Sequence, residues 1–129
     1  MIVVDASVLA AALGDADPRS DLMRERIAKE RLCAPELIYL EVLSVARKRQ
    51  LSGLITSHQA DILREALFHL PLVALPHAAL VPRIWQLRQN ITPYDAAYVA
   101  TAEFARAPLL TGDARLAKAP GASCTFEVY

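Results

Sequence analysis

The apolar positions of this chain fall into short runs that stop abruptly and longer stretches with helical spacing. Ile2-Val3-Val4 is a β-branched run ended by Asp5, which predicts a buried strand with an acid at its carboxyl end. Ser7 to Leu13 follows with helical spacing. Asp17-Pro18, a cap residue followed by proline, opens a second helix to about Arg31 with its charges facing water. Leu32-Cys33-Ala34, closed by Pro35, reads as the next short strand. In the helical run Leu37 to Gln50, the residues Leu37, Ile38, Leu40, Val42, Leu43 and Val45 wrap more than one face, and Ser52-Gly53 ends it. Thr56-Ser57-His58-Gln59 has the pattern of a capping box opening a helix to Phe68.

Leu72 to Leu75, flanked by prolines, is a strand by length, and His77 to Gln89 is helical with Leu80, Ile84 and Leu87 on one face. Thr92 and Pro93 start a further helix: threonine caps exposed N–H groups, and proline fits the first turn, where its missing N–H costs nothing. Its run Ala96, Ala97, Tyr98, Val99, Ala100 and Ala102 is apolar nearly all round, the mark of a buried helix. The chain turns at Pro108, Leu109-Leu110 is a short buried strand ending at Thr111-Gly112-Asp113, and Cys124 to Val128 alternates as an edge strand. Strands separated by helices imply a parallel sheet with helices on both sides, so the chain is read as one α/β domain over residues 1–129.

Composition narrows the class. A hydrophobic fraction of 54% rules out a disordered chain, and 129 residues suffice for a core without disulfides or a structural metal. The start lacks the basic region of a signal peptide, and the greasy stretch Leu67 to Val81 is broken by His69, Pro71, Pro76 and His77. A cytoplasmic protein with no membrane contact is expected. Cys33 and Cys124 stand in no metal-binding or redox pattern, and His58, His69 and His77 have no ligand spacing, so zinc is not expected. The net charge of zero argues against a nucleic-acid partner. That argument weakens if four acids are sequestered in a site, since ten acids then face fourteen bases on the rest of the surface. Arg47-Lys48-Arg49 and the group Arg24, Arg26, Lys29, Arg31 would then stand out.

Four acids occupy unusual settings. Asp5 and Asp113 follow strands, Asp95 lies in a first helical turn, and Glu41 interrupts an apolar helix surface among Leu37, Leu40, Ser44 and Val45. An Asp in a first turn is ordinarily a cap or dipole residue, and one after a strand an ordinary turn residue. The carboxyl edge of a parallel sheet, however, gathers such positions where ligands bind. Carboxylates crowded there repel unless a cation neutralises them, and an all-oxygen set without Cys or His selects Mg²⁺ or Mn²⁺. Ions of that kind suit phosphate-ester chemistry.

The segments IVVDASVL around Asp5, PELIYLEVLSVARK around Glu41, TPYDAAYVATAE around Asp95 and LLTGDARL around Asp113 together resemble the PIN-domain ribonucleases, and more narrowly the VapC-type toxins of toxin–antitoxin pairs. The resemblance spans nearly the whole chain in the family's order. It implies a three-layer PIN-like fold with a central, mostly parallel five-stranded sheet flanked by helices. It also implies a Mg²⁺-dependent endoribonuclease, with Mn²⁺ as a possible substitute and Asp5, Glu41, Asp95 and Asp113 as its acidic quartet.

Ser7 and Thr111 match the small hydroxyl positions beside the quartet, and Arg47, Lys48 and Arg115 are candidate RNA-phosphate contacts. Implied partners are RNA, a cognate antitoxin protein and a second copy in a homodimer, with no direct DNA binding by this chain. Ala114 and Arg115 stand where many relatives carry a further acid, which bears against a full second metal site. Two rival classes are a Mg²⁺-dependent phosphomonoesterase of the haloacid-dehalogenase type, which needs an Asp where Ser7 stands, and a non-catalytic PIN-like interaction module, which would have lost acids. The chain has only four glycines and no Gly-rich loop for a dinucleotide.

Overall fold

In the computed structural model, which describes residues 1–129, the β-branched N-terminal run forms β1 (Ile2–Val4), buried at all three positions. It lies at the centre of a five-stranded sheet with β2 (Leu32–Pro35), β3 (Leu72–Leu75), β4 (Leu109–Thr111) and β5 (Phe126–Val128) in the order β3-β2-β1-β4-β5. Every pairing is parallel, so the sheet is wholly rather than mostly parallel. Val3 lies between Cys33 on one side and Leu109 on the other, and Val4 is in register with Leu110. Such central strands are apolar at every position because both of their faces are covered.

The helices are α1 (Ala6–Gly14), α2 (Pro18–Ile27), α3 (Leu37–Leu51), α4 (Ser57–His69), α5 (Val81–Gln86) and α6 (Pro93–Ala105). From β1 through α1 and α2 to β2, and on through α3 and α4 to β3, the chain steps one way along the sheet. From β3 through α5 and α6 it returns past β1 to β4. Right-handed crossovers therefore place α1 to α4 on one face and α5 with α6 on the other, which makes three layers. The direction of winding reverses at the boundary between β1 and β4. The crevice outside the carboxyl ends at such a boundary is the usual ligand site of an open α/β sheet.

Several boundaries differ from the sequence expectation. The helix expected to reach Arg31 ends at Ile27, with a turn over residues 28–30. The helix expected over His77 to Gln89 is a 3₁₀ turn, His77–Leu80, followed by the six-residue α5. Pro82 stands in the first turn of α5, the one place in a helix where its missing N–H is harmless, so one continuous helix cannot run through it. On α3 only Ile38, Val42 and Ala46 are buried, whereas Leu40 and Leu43 are exposed; the helix buries one stripe and not several faces. Between β4 and β5 there is no α-helix, only a 3₁₀ turn, Leu116–Lys118. The capping box at Thr56 and Gln59 and the Thr92 cap before Pro93 are both present.

Charge pairing removes much of the expected basic surface. Arg26 binds Glu127 through both Nε and Nη2 at 2.9 Å and also reaches Glu30, Arg24 pairs with Asp21, and Arg49 pairs with Asp15. His77 accepts the Leu37 N–H on Nε2 at 3.0 Å, which serves α3 in place of the side-chain cap that Glu36 does not supply. Both cysteines are free thiols; burial pushes Cys33 up, and pushes Cys124 up to about 11, so neither is an activated nucleophile at neutral pH.

Candidate active site

Asp5 follows β1 directly, and its N–H donates to Leu110 O at 3.0 Å, which continues the β1–β4 ladder by one step. The residue also caps α1: Oδ1 accepts the Val8 N–H at 2.9 Å and the Ser7 hydroxyl at 2.6 Å. One carboxylate oxygen is thus committed to structure, and Oδ2 has no protein partner. Ser7 Oγ in turn accepts the Gly112 N–H at 3.0 Å, so a single hydroxyl ties the end of β1 to the loop after β4. At the end of β4 the buried Thr111 hydroxyl accepts the Asp113 N–H at 3.0 Å. Asp113 Oδ1 accepts the Arg115 N–H at 2.8 Å, the usual way an Asp stabilises its own turn.

Gly112 is required by this arrangement, because a Cβ there would lie 2.8 Å from Ser7 Oγ. Gly112→Ala is expected to turn Ser7 away from Asp5 and break the bridge. The lost hydrogen bond corresponds to about 1 kcal/mol, or roughly 3 °C in the midpoint of a thermal melt. An unchanged melt would mean that the bridge carries no stability.

Asp95 sits in the first turn of α6, where Thr92 and not Asp95 provides the cap: Thr92 Oγ1 accepts the Asp95 N–H at 3.3 Å. Its carboxylate lines the site, with the Thr92 hydroxyl beside it. Glu41 comes from α3, and beyond the strand ends α3 and α6 meet: the Tyr98 hydroxyl donates to Glu41 Oε2 at 2.5 Å. Asp5, Glu41, Asp95 and Asp113 all line one open cavity of about 550 Å³, together with Ser7, Gly112, Tyr98, Lys48 and Arg115. Arg47, beside Lys48 on α3, is exposed and lies outside that lining. Thr111 acts from beneath, through the Asp113 backbone. Arg115 is 95% exposed at the rim and pairs with Asp113 at 3.5 Å.

The electrostatics divide the acids. Burial, and after it the Asp95 and Asp5 charges, push the Glu41 carboxyl up, against the lowering effect of the Tyr98 bond. Burial likewise pushes Asp95 up, helped by Asp113 and Asp5 and opposed by Thr92 and Arg115. Asp113 is held down, chiefly by the Arg115 N–H that its carboxylate accepts. Burial and the Glu41 bond keep the Tyr98 phenol far above its ordinary range, so it stays a donor.

No three acidic, imidazole or thiol side chains converge tightly enough to form a ready metal cage. The donor set nevertheless fits a hard divalent ion that keeps several waters and takes one or two carboxylates directly, since the cavity is lined by four carboxylates and by no thiol or imidazole. Like charges that repel would also hold the set apart until a cation arrives. Two basic side chains, Lys48 and Arg115, line the same cavity, and Arg115 offsets part of the acid charge at Asp113 and Asp95.

Sequence reasoning missed Tyr98 as a site residue and read it only as part of a buried apolar run. Its signal was spacing: Tyr98 follows Asp95 by three residues and so shares its helix face. Of the two tyrosines in this alanine-rich helix, Tyr94 is exposed and Tyr98 buried, and a buried tyrosine hydroxyl has to find an acceptor.

The family model described as the PIN domain matches residues 2–122. The chain is similar to ribonuclease VapC1 of Mycobacterium tuberculosis, 39% identical over 127 residues that cover 98% of this chain and 96% of the relative. It is also similar to ribonuclease VapC9 of the same organism, 36% identical over 129 residues covering 99% and 98%. Among solved structures, VapBC2 from Rickettsia felis, bound to a DNA fragment from their promoter, matches in fold with a TM-score of 0.71 at 16% identity, covering 100% of this chain and 99% of the other. FitAcB from Neisseria gonorrhoeae matches with a TM-score of 0.61 at 22% identity, covering 98% and 96%.

Proposed function

The chain belongs to the PIN-domain family and, within it, to the VapC ribonucleases, and from that premise we propose that it is a metal-dependent endoribonuclease acting as the toxin of a toxin–antitoxin pair. The observation that carries the reading is the convergence of four carboxylates, from two strand ends and two helices, on one open cavity at the winding reversal of the sheet. Curated relatives named as ribonucleases over nearly their whole length support the reaction class.

Asp5 and Asp95 are assigned to hold the principal Mg²⁺, with Asp113 completing the set. When bound, the ion supplies positive charge for the attacking and leaving oxygens of an in-line phosphodiester displacement. The chain's own groups do the rest. Glu41, with Oε2 held by Tyr98, accepts a proton from the attacking water on its remaining oxygen, a task suited to a carboxyl that burial pushes up and so makes a stronger base. Lys48 and Arg115 hold the flanking phosphates and steer an anionic strand across a cleft that would otherwise repel it. Arg47 lies farther along the same strand path.

Cleavage of total RNA is expected with Mg²⁺ or Mn²⁺ and is expected to stop in EDTA; undiminished cutting in EDTA would remove the metal from the reaction. The same reading assigns a homodimer and an antitoxin whose basic segment enters the acidic cavity, with DNA left to the antitoxin. Exposed Leu40 and Leu43 on α3 are apolar surface suited to a protein partner. No helix of the chain is long and apolar enough to cross a membrane, in keeping with action on RNA in the cytoplasm. Expressed alone in bacteria, the protein is expected to arrest growth, and co-expression of the neighbouring antitoxin to restore it. Unimpeded growth with soluble protein that cuts RNA in vitro would leave the nuclease and remove the toxin.

A further inference from the structure

We propose that Tyr98 is a positioning residue for this reaction: its buried hydroxyl fixes Glu41 in one rotamer, with Oε2 engaged and Oε1 left free for chemistry. The inference rests on the reading of the cavity as a hydrolytic site and adds to the acidic quartet a residue that acts through one of its members.

The geometry makes the hydroxyl a fixed point. Tyr98 is 2% exposed, and its ring belongs to the hydrophobic core, so packing clamps it from all sides. The residue nevertheless lines the cavity, and its hydroxyl donates to Glu41. Glu41 is the opposite kind of side chain, long and freely rotating, and half-buried on the wall of α3. The ion pairs of the chain engage other acids, among them Asp15, Glu103, Asp113 and Glu127, and none engages Glu41. Its protein hydrogen-bond partner is Tyr98.

Without that bond the carboxylate would sweep through several rotamers, and a displacement of about 1 Å at a reacting group can cost a hundredfold in rate. A purely structural tyrosine would need only some acceptor for its buried hydroxyl. Here the acceptor is a cavity acid on another helix. The same face of α6, through residues three apart, therefore presents one carboxylate directly and steers a second.

The test is a double-mutant cycle of Tyr98→Phe and Glu41→Gln, read by steady-state cleavage of a short RNA and by crystal structures of the metal-free proteins. Tyr98→Phe removes one oxygen and keeps the ring. It is expected to lower kcat by about 10- to 100-fold, the range for groups that orient a catalytic shell, with KM near the wild-type value. In the Glu41→Gln background it is expected to cost little more. Its crystal structure is expected to have Glu41 displaced or in several rotamers while Asp5, Asp95 and Asp113 stay in place.

An equal loss in both backgrounds makes Tyr98 a packing residue and overturns the proposal. If Tyr98→Phe does not fold, the wild-type crystal structure decides: Glu41 held in one rotamer by the Tyr98 hydroxyl supports the proposal, and Glu41 turned from the hydroxyl or spread over several rotamers overturns it. If the wild type cuts no RNA, the nuclease reading fails on its own account. An unmoved, single-rotamer Glu41 in the Tyr98→Phe crystal then decides separately against positioning.

Discussion

Asp95→Asn is expected to reduce RNA cleavage by about 10²- to 10³-fold, the scale on which loss of one preorganised electrostatic group is felt, while the far-UV circular dichroism stays native. The structure separates charge from shape at this position. The α6 N-terminus is capped by Thr92, and the Asp95 main-chain N–H, which the substitution keeps, is what that cap binds. No side-chain hydrogen bond from Asp95 to the backbone is lost. What disappears is one negative charge facing the cavity, shared electrostatically with Asp113 and Asp5. RNA affinity, which the proposed phosphate contacts Lys48 and Arg115 would set, is expected to hold or rise, because removing a negative charge eases the approach of phosphate. The loss thus falls on kcat. Cleavage at the wild-type rate would exclude Asp95 from the chemistry.

Which parts of the site were legible in the sequence follows from how local each determinant is. Asp5 and Asp113 could be placed because each follows a short apolar run, and the carboxyl end of a buried parallel strand is a position that chain order fixes. Asp95 could be placed because Thr92-Pro93 declares a helix start. The parallel character of the sheet followed from strands alternating with helices, though the edge strand β5 was not read as parallel too, and the ligand edge followed from the sheet.

What could not be read depends on side chains from distant segments. The Tyr98–Glu41 bond joins residues 57 apart in sequence. The Ser7–Gly112 bridge joins residues 105 apart. Pairing of Arg26 with Glu127 spans 101 residues and turned an expected basic face into a structural link. The over-long helix at His77 has a local cause: Pro82 follows a stretch with helical spacing, and spacing alone does not register a missing N–H. The excess of apolar residues on α3 was misread for a related reason. Periodicity counts greasy positions but does not say how many of them the fold will cover, and Leu40 and Leu43 remain outside.

In metal-free protein at neutral pH, Asp95→Asn and Asp113→Asn are expected to change stability in opposite directions. Asp95, like Glu41, has its carboxyl pushed up by burial and by neighbouring charges, so the folded protein holds that proton more tightly than the unfolded chain does. Between the ordinary carboxylate range and the raised folded value, stability therefore falls as the pH rises. Removing the charge relieves this. Asp95→Asn should melt higher than wild type in EDTA at pH 7, by on the order of 1 kcal/mol or roughly 3 °C, and the gap should close as the pH is lowered and wild-type Asp95 takes up its proton.

Asp113 has the reverse linkage. Its carboxyl is held down by the Arg115 N–H, so its contribution is present at neutral pH and is lost as the pH falls through the lowered value. Asparagine keeps one acceptor oxygen, so Asp113→Asn should melt slightly below wild type and never above it. Mg²⁺ should then raise the melt of wild type and leave Asp95→Asn nearly unmoved, because an ion stabilises only a fold that binds it. The force opposing this outcome is the helix dipole, which favours a negative charge in the first turn of α6 by about 0.3–1 kcal/mol. If Asp95→Asn melts lower than wild type in EDTA, the dipole has outweighed the crowding of the cavity, and Asp95 is kept for the helix rather than for the ion.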